Sequence, residues 1–310
     1  MARPLQSIRR WRPPRIVSGA RNARNVRAVD VAIHDQGSET MDIYTLDDLP
    51  PWEWPEDAEA MIIGLLEDTQ ADAEERLLAA ELAGDYTNMN DALADALLAV
   101  TGSGEESAEL RGAAVIALGG ALEHAYTMGF EDEDDILLSE SGFQQVLNTL
   151  LQLFLDSGIP DDVRRRVLEA SVRAPQDWHD EVVRNAWNDG GLWRLTAIFC
   201  MRFIPGFDEH ILEALDDDNL RIRYHAVCAA GNWEVDEAWL QIFYLLTDDD
   251  ADKELRLAAI DAVASIRPVE ASEILNELTE DEDDDIVDAA YEALAMAGII
   301  AELEDEDDDW

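Results

Sequence analysis

The chain is poor in basic residues and almost free of lysine. Its 310 residues hold 22 Lys+Arg against 70 Asp+Glu, a formal net charge of −48, and Lys253 is the only lysine. So little base argues against a nucleic-acid partner, because phosphate backbones are held by Lys and Arg. It argues equally against an anionic membrane surface. Cysteine is scarce as well. Cys200 and Cys228 are too few for a disulfide framework, which points to a reducing, cytoplasmic setting. Long apolar runs are missing: stretches such as Met61–Leu66 fall far short of the roughly 18 residues needed to span a bilayer. The sequence also lacks G-x-x-x-x-G-K, G-x-G-x-x-G and G-x-S-x-G, and no stretch alternates with a strand's period of two. What is present is 47% apolar residues, far too many for a disordered acidic chain.

Charge is unevenly spread. Residues 1–28 carry eight arginines and no acid. Residues 29–163 carry two arginines and 32 acids, residues 164–223 nine arginines and eleven acids, and residues 224–310 three bases and 27 acids. An acid-coated chain repels itself in dilute buffer. Molar salt shortens the Debye length to about 3 Å and removes most of that cost. The composition therefore suits a halophilic protein; the competing reading is an acidic face that binds a basic partner. Residues 1–40 show no apolar periodicity and are expected to be disordered. The pair Arg9-Arg10 is followed by Trp11-Arg12-Pro13-Pro14 rather than by the apolar run of a secretory signal. Two readings of this segment stay open: a basic arm that binds an acidic partner, including its own body, or a stretch upstream of a true start at Met41.

A repeat runs through the remainder. From an anchor residue, the positions three and six further on are small or apolar: Arg76 gives Ala79 and Leu82, and Arg111 gives Ala114 and Ala117. Arg164, Arg194, Arg223, Arg256 and Val287 give the same pattern, ending with Ala290 and Ala293. Anchor spacings are 35, 53, 30, 29, 33 and 31, and the long gap holds the acidic stretch Glu131–Asp135, read as a loop insertion. Before each anchored window lies a second amphipathic segment, clearest over Phe143–Leu155, where apolar residues recur at three and four. The others begin near Ala58, Asn90, Trp178, Asp208, Asp236 and Ala271. Acidic turns such as Asp161-Asp162, Asp216–Asp218, Asp248–Asp250 and Asp283–Asp285 separate the helices and suit helix N-termini. A fixed period of this length means stacked supersecondary units. The expected fold is all-α: a solenoid of about seven hairpins over 58–298, with a lead-in at 41–57 and an acidic tail at 299–310.

The windows Leu255–Val263, Arg111–Gly119 and Val287–Ala295 resemble the short HEAT-like repeats of the phycobilin-lyase type, shorter than the usual HEAT period. The block Thr45–Ala58, with Pro50-Pro51-Trp52-Glu53-Trp54-Pro55, looks like the opening of prokaryotic HEAT-repeat proteins. The resemblance covers about 240 of the 310 residues and implies a fold rather than an activity. Deoxyhypusine hydroxylase, which shares this architecture, binds two irons through His-Glu pairs. This chain has no His-Glu dipeptide; Glu123-His124 and Glu209-His210 are reversed and do not repeat that pattern. Nothing marks the tetrapyrrole site of a bilin lyase, and a HEAT-like DNA glycosylase would need a basic concave face. His34, His124, His179, His210 and His225 show no metal-ligand spacing, so no metal and no cofactor is expected.

The centre is the place to seek a site. Nine of the fourteen bases beyond residue 28 fall between Arg164 and Arg223, with Trp178, Trp187 and Trp193 among them. Arg and Trp are enriched at binding hot spots. The candidate binding residues are Arg173, Arg184, Arg194, Arg221, Arg223, Trp178, Trp187 and Trp193; the bland alternative is tryptophan in the core and arginine paired with neighbouring Asp. The sequence favours a non-enzymatic scaffold for a protein or peptide partner. A lyase- or hydroxylase-like accessory enzyme on the same fold is the alternative, and chaperone-like capture of basic partners a third class.

Overall fold

The computed structural model describes residues 42–85, 89–131, 136–248 and 251–307, with side chains up to residue 298. The basic segment 1–40, most of the acidic stretch Glu131–Asp135, Asp249-Asp250 and the terminal Trp310 lie outside the described residues. A short lead-in comes first: α1 (Ile43–Asp47) and a 3₁₀ turn at Pro51–Glu53, tied together where Trp54 donates its indole N–H to the carbonyls of Leu46 and Leu49. Two hairpins follow, α2 (Ala58–Glu67) with α3 (Ala73–Asp85) and α4 (Asp91–Gly102) with α5 (Ala108–Ala117). An extra helix, α6 (Gly119–Met128), is next. Five more hairpins pair α7 (Glu140–Leu155) with α8 (Asp161–Ser171), α9 (Trp178–Asp189) with α10 (Gly191–Cys200), and α11 (Asp208–Leu215) with α12 (Leu220–Asn232). They then pair α13 (Trp239–Thr247) with α14 (Lys253–Ile266) and α15 (Pro268–Leu278) with α16 (Asp284–Asp307). No strand occurs among the described residues. The fold is an all-α solenoid, as the sequence periodicity predicts.

The long gap between the second and third anchors holds an extra helix that the periodicity does not predict. Ten residues of the gap form α6, which turns off α5 at Leu118 and packs on α8, while most of the stretch read as a loop insertion lies outside the described residues. Leu155 also departs from expectation. It ends the apolar stripe of α7, yet it is exposed, and the buried stripe is Phe143, Val146, Leu147, Leu150 and Phe154. The last helix runs on unbroken past residue 298 to Asp307.

Why the hairpins stack is visible at the anchored positions. All fourteen residues three and six beyond the anchors are buried, from Ala79 and Leu82 through Ala290 and Ala293. Small side chains there let second helices approach closely: α3 packs on α5, α5 on α8, and α10, α12, α14 and α16 continue the row. Two glycines make the closest approaches. Gly84 of α3 faces the Cα of Ala117, and Gly231 of α12 faces the Cα of Ala262, where an added Cβ would sit at 3.2 and 2.9 Å. Both glycines lie eight residues beyond their anchor and both partners lie six beyond theirs. First helices are less closely packed on one another: α2 meets α4 and α4 meets α7, but later ones make few or no close backbone approaches. The close row is the inner layer of the solenoid, and no hairpin covers its own apolar stripe without it.

Helix starts are held by side chains. Asn90, Ser107, Ser139, Asn219 and Asp252 each accept a bond from a backbone amide in the first turn that follows. The acidic turns contribute in different ways. Asp252 caps directly, Asp217 accepts the amide N–H of the cap residue Asn219, and Asp161 and Asp162 fill the first turn of α8 behind Pro160.

Candidate functional site

The anchor arginines decide which of the central arginines are free. In three hairpins the anchor reaches back to the C-terminal carbonyls of its own first helix. Arg76 donates to Leu65 and Leu66 at 3.2 and 2.9 Å, Arg111 to Thr101 at 2.8 Å, and Arg164 to Phe154 at 3.1 Å. These are helix-end acceptors that would otherwise lack a partner. Arg76 also makes a forked pair with Glu106 of the next turn, at 2.7 and 2.8 Å, and that guanidinium holds the Glu106 carboxyl below its ordinary range. Arg256 reaches Asp281 in the same manner. The repeated arginine is therefore chiefly an internal clamp.

The predicted binding residues divide on this basis. Arg194 lies 3.7 Å from the centre of the Trp187 ring and pairs with Glu213 and Asp217, so both sit within the joint between the fourth and fifth hairpins. Arg173 pairs with Glu123 at 2.7 Å and lies over Phe199 and Phe203, which fastens α6 to the inner layer. Arg184 forks onto Asp180, which lowers that carboxyl, and also donates to the Gly206 carbonyl. Trp178 and Trp193 converge on Phe154, with ring centroids 5.3 and 6.4 Å away, and Arg164 stacks against Phe154 and Trp193. That cluster borders a shallow cleft of about 320 Å³ between α8 and α9, with Asp161 and Asp189 on its rim. Arg221 and Arg223 are different. Arg221 is exposed and its guanidinium makes no ion pair among the described residues; Arg223 has its Nε buried without a hydrogen-bond partner.

Arg223 opens onto the larger cleft, about 610 Å³, where the turn of the fifth hairpin meets the turn of the sixth. Its apolar lining includes Leu215, Leu220, Tyr244, Leu245 and Leu255, and its carboxylates are Asp216, Asp248 and Asp252. Leu220 is 46% exposed and Tyr244 is 66% exposed. Sequence reasoning misses these residues. The usable signal is in α13, where Trp239, Ile242 and Leu246 form the buried stripe while Leu240 and Tyr244, four apart, make a second apolar line outside it.

The titratable groups nearby are structural. His179 is fully buried; desolvation holds it down to about 4, and its ring bonds Ser171 and the Gln176 amide. Burial, aided by the nearby positive charges of Arg202 and Arg221, holds His225 down to about 3. Burial pushes the Cys200 and Cys228 thiols up, away from the thiolate a nucleophile needs. Among the described residues no group of three or more His, Cys, Asp or Glu is placed to hold a metal ion. The two reversed Glu-His pairs do not suit iron either: Glu123 is taken by Arg173, and the His210 ring stands edge-on to Trp187 and Phe207. No described helix is long and apolar enough to cross a membrane.

Comparison with known proteins gives one family. Residues 209–295 match the family model for HEAT repeats. No curated protein matches the chain. Among solved structures it is similar to an engineered protein at 15% identity, covering 78% of this chain and 79% of that one, with a TM-score of 0.37. It is also similar to a designed armadillo repeat protein, at 17% identity over 76% and 98% of the two chains with a TM-score of 0.32. Human deoxyhypusine hydroxylase in complex with glycerol is similar at 16% identity over 83% and 88%, with a TM-score of 0.38. Likeness of this degree carries no statement about activity. The matched span begins at the second residue of α11 and ends within α16, so residues 209–295 are HEAT repeats, and the same anchored register runs through the hairpins before them.

Proposed function

We infer that this protein is a non-enzymatic scaffold that holds a protein or peptide segment on its solenoid surface and is adapted to high salt. The cleft between the fifth and sixth hairpins carries the reading. A half-exposed leucine and a largely exposed tyrosine sit there beside Arg223 and three carboxylates, on a chain whose net charge is −48. Apolar surface beside charged groups is what a bound segment needs: side chains to cover and polar partners that fix its orientation. The carboxylates elsewhere repel acidic competitors and so sharpen partner choice. The central tryptophans and clamped arginines, the first candidates, brace the third to fifth hairpins on one side of this surface.

The test is capture from a lysate of the source organism in molar salt, with wild-type protein and with a Leu220→Asp, Tyr244→Asp double variant. The scaffold reading expects a defined partner held by the wild type and lost by the variant. Stoichiometric iron or a visible chromophore in the purified protein, with no partner captured, would replace it by the enzyme reading.

A further inference from the structure

We propose that the cleft between the fifth and sixth hairpins seats this chain's own arginine-rich segment, centred on Ile8-Arg9-Arg10-Trp11-Arg12. The proposal rests on the reading of this cleft as a segment-binding groove and names an occupant within the chain, which an external partner would displace. Three observations lead to it. The cleft pairs two chemistries side by side: the carboxylates of Asp216, Asp248 and Asp252, and the apolar surfaces of Leu220 and Tyr244. A matching occupant must bring cations and an aromatic or aliphatic anchor within a few residues. Residues 1–28 do so, with eight arginines, no acid, and Ile8 and Trp11 embedded among the arginines.

Charge complementarity alone would spread such a segment over the whole acidic body. The apolar half of the cleft selects the place. Guanidinium forks on carboxylates are directional and tolerate salt better than diffuse attraction, and a buried indole adds contact that salt does not screen. Arg223 does not oppose the match, because three carboxylates outnumber it.

Reach is sufficient. The 26 residues from Ile16 to Met41 span at most about 90 Å when extended. Five hairpin steps at roughly 10 Å each separate the first hairpin from the sixth, or about 50 Å. Tethering sets the local concentration near the millimolar range, above that of most competing segments.

The experiment uses the full chain with Trp11→p-benzoylphenylalanine, irradiated at low protein concentration and mapped by peptide mass spectrometry. The proposal expects intramolecular adducts concentrated within residues 215–255, falling at least about tenfold when Leu220→Asp and Tyr244→Asp are added. Both substituted residues are exposed, and an unchanged melting temperature confirms that the fold persists. Adducts spread across other hairpins, adducts joining two molecules, or no adducts would each overturn it. The outcome separates from that of the scaffold reading. A partner captured through the cleft while adducts lie elsewhere removes only the proposed occupant. Adducts in the cleft with no partner captured keep the occupant and remove the scaffold.

Discussion

His179 shows how a single buried group sets a condition on the whole chain. Its Nδ1 accepts the Gln176 amide N–H at 2.8 Å and its Nε2 lies 3.0 Å from the Ser171 hydroxyl, so the folded ring is neutral and a proton on Nδ1 would break the first bond. Burial puts its folded value at about 4, against about 6.5 in an unfolded chain. Above pH 6.5 neither state binds the proton. As pH falls below 6.5 the unfolded chain takes it up and the fold does not, so stability is lost steadily until pH reaches about 4, where the loss levels off. The expected loss from this group is about 3 kcal/mol over that window. Urea midpoints measured between pH 7 and 4 in molar salt will show that slope, and His179→Gln will flatten it. An unchanged slope in the variant would mean that other groups carry the acid sensitivity. This role is not legible in sequence, because a lone histidine reads the same whether it caps a turn or faces water.

At the scale of helices, the packing pattern is legible in sequence and its tightest points are not. Periodicity marks where each hairpin begins and which residues meet, and all fourteen predicted positions are buried. The eight-beyond glycines carry no such mark, since glycine within a helix reads as a weakness rather than as a place where two backbones touch. Substitution separates the two kinds of glycine. Gly231→Ala places a Cβ 2.9 Å from the Ala262 backbone and is expected to cost about 1–3 kcal/mol in thermal or urea unfolding. Gly64→Ala, at an exposed helical position with nothing within 4 Å, is expected to add about 0.5–1 kcal/mol. Equal effects at the two positions would show that second helices do not meet where described. The candidate site is harder to read for a related reason. One arginine register serves both as the clamp on helix ends and as the donor in the cleft, and only neighbours distant in sequence tell Arg76 and Arg164 from Arg223. Helix α6 falls outside the repeat register and so has no periodic signal, yet Gly119 at its start is where the Arg173 side chain passes, 2.8 Å from the place a Cβ would occupy.

For the molecule as a whole, charge governs behaviour outside the core. Lys253, the single lysine, bridges Asp283 and Asp285, and those contacts raise its own value and lower that of Asp283, but 22 bases cannot pair with 70 acids. Mutual repulsion on this scale weakens as the Debye length shrinks from about 10 Å at 0.1 M salt to about 3 Å at 1 M. The melting temperature followed by far-ultraviolet circular dichroism is therefore expected to climb with sodium chloride across that range. A midpoint indifferent to salt would remove the halophilic reading while leaving the fold as described. Composition alone carries this expectation, since it depends on the sum of charges and hardly on where each one sits.

The two rows of helices differ in how they are joined. The inner row is tied edge to edge by alanine and glycine contacts, while the outer row has slack between its members. A body built in this way bends like a leaf spring, with the inner row as the sheet that keeps its length and the outer helices fanning apart or together. Because each hairpin touches only its neighbours, whatever wedges into one outer gap opens that gap about the inner contact beneath it and tilts the hairpins beyond as a block.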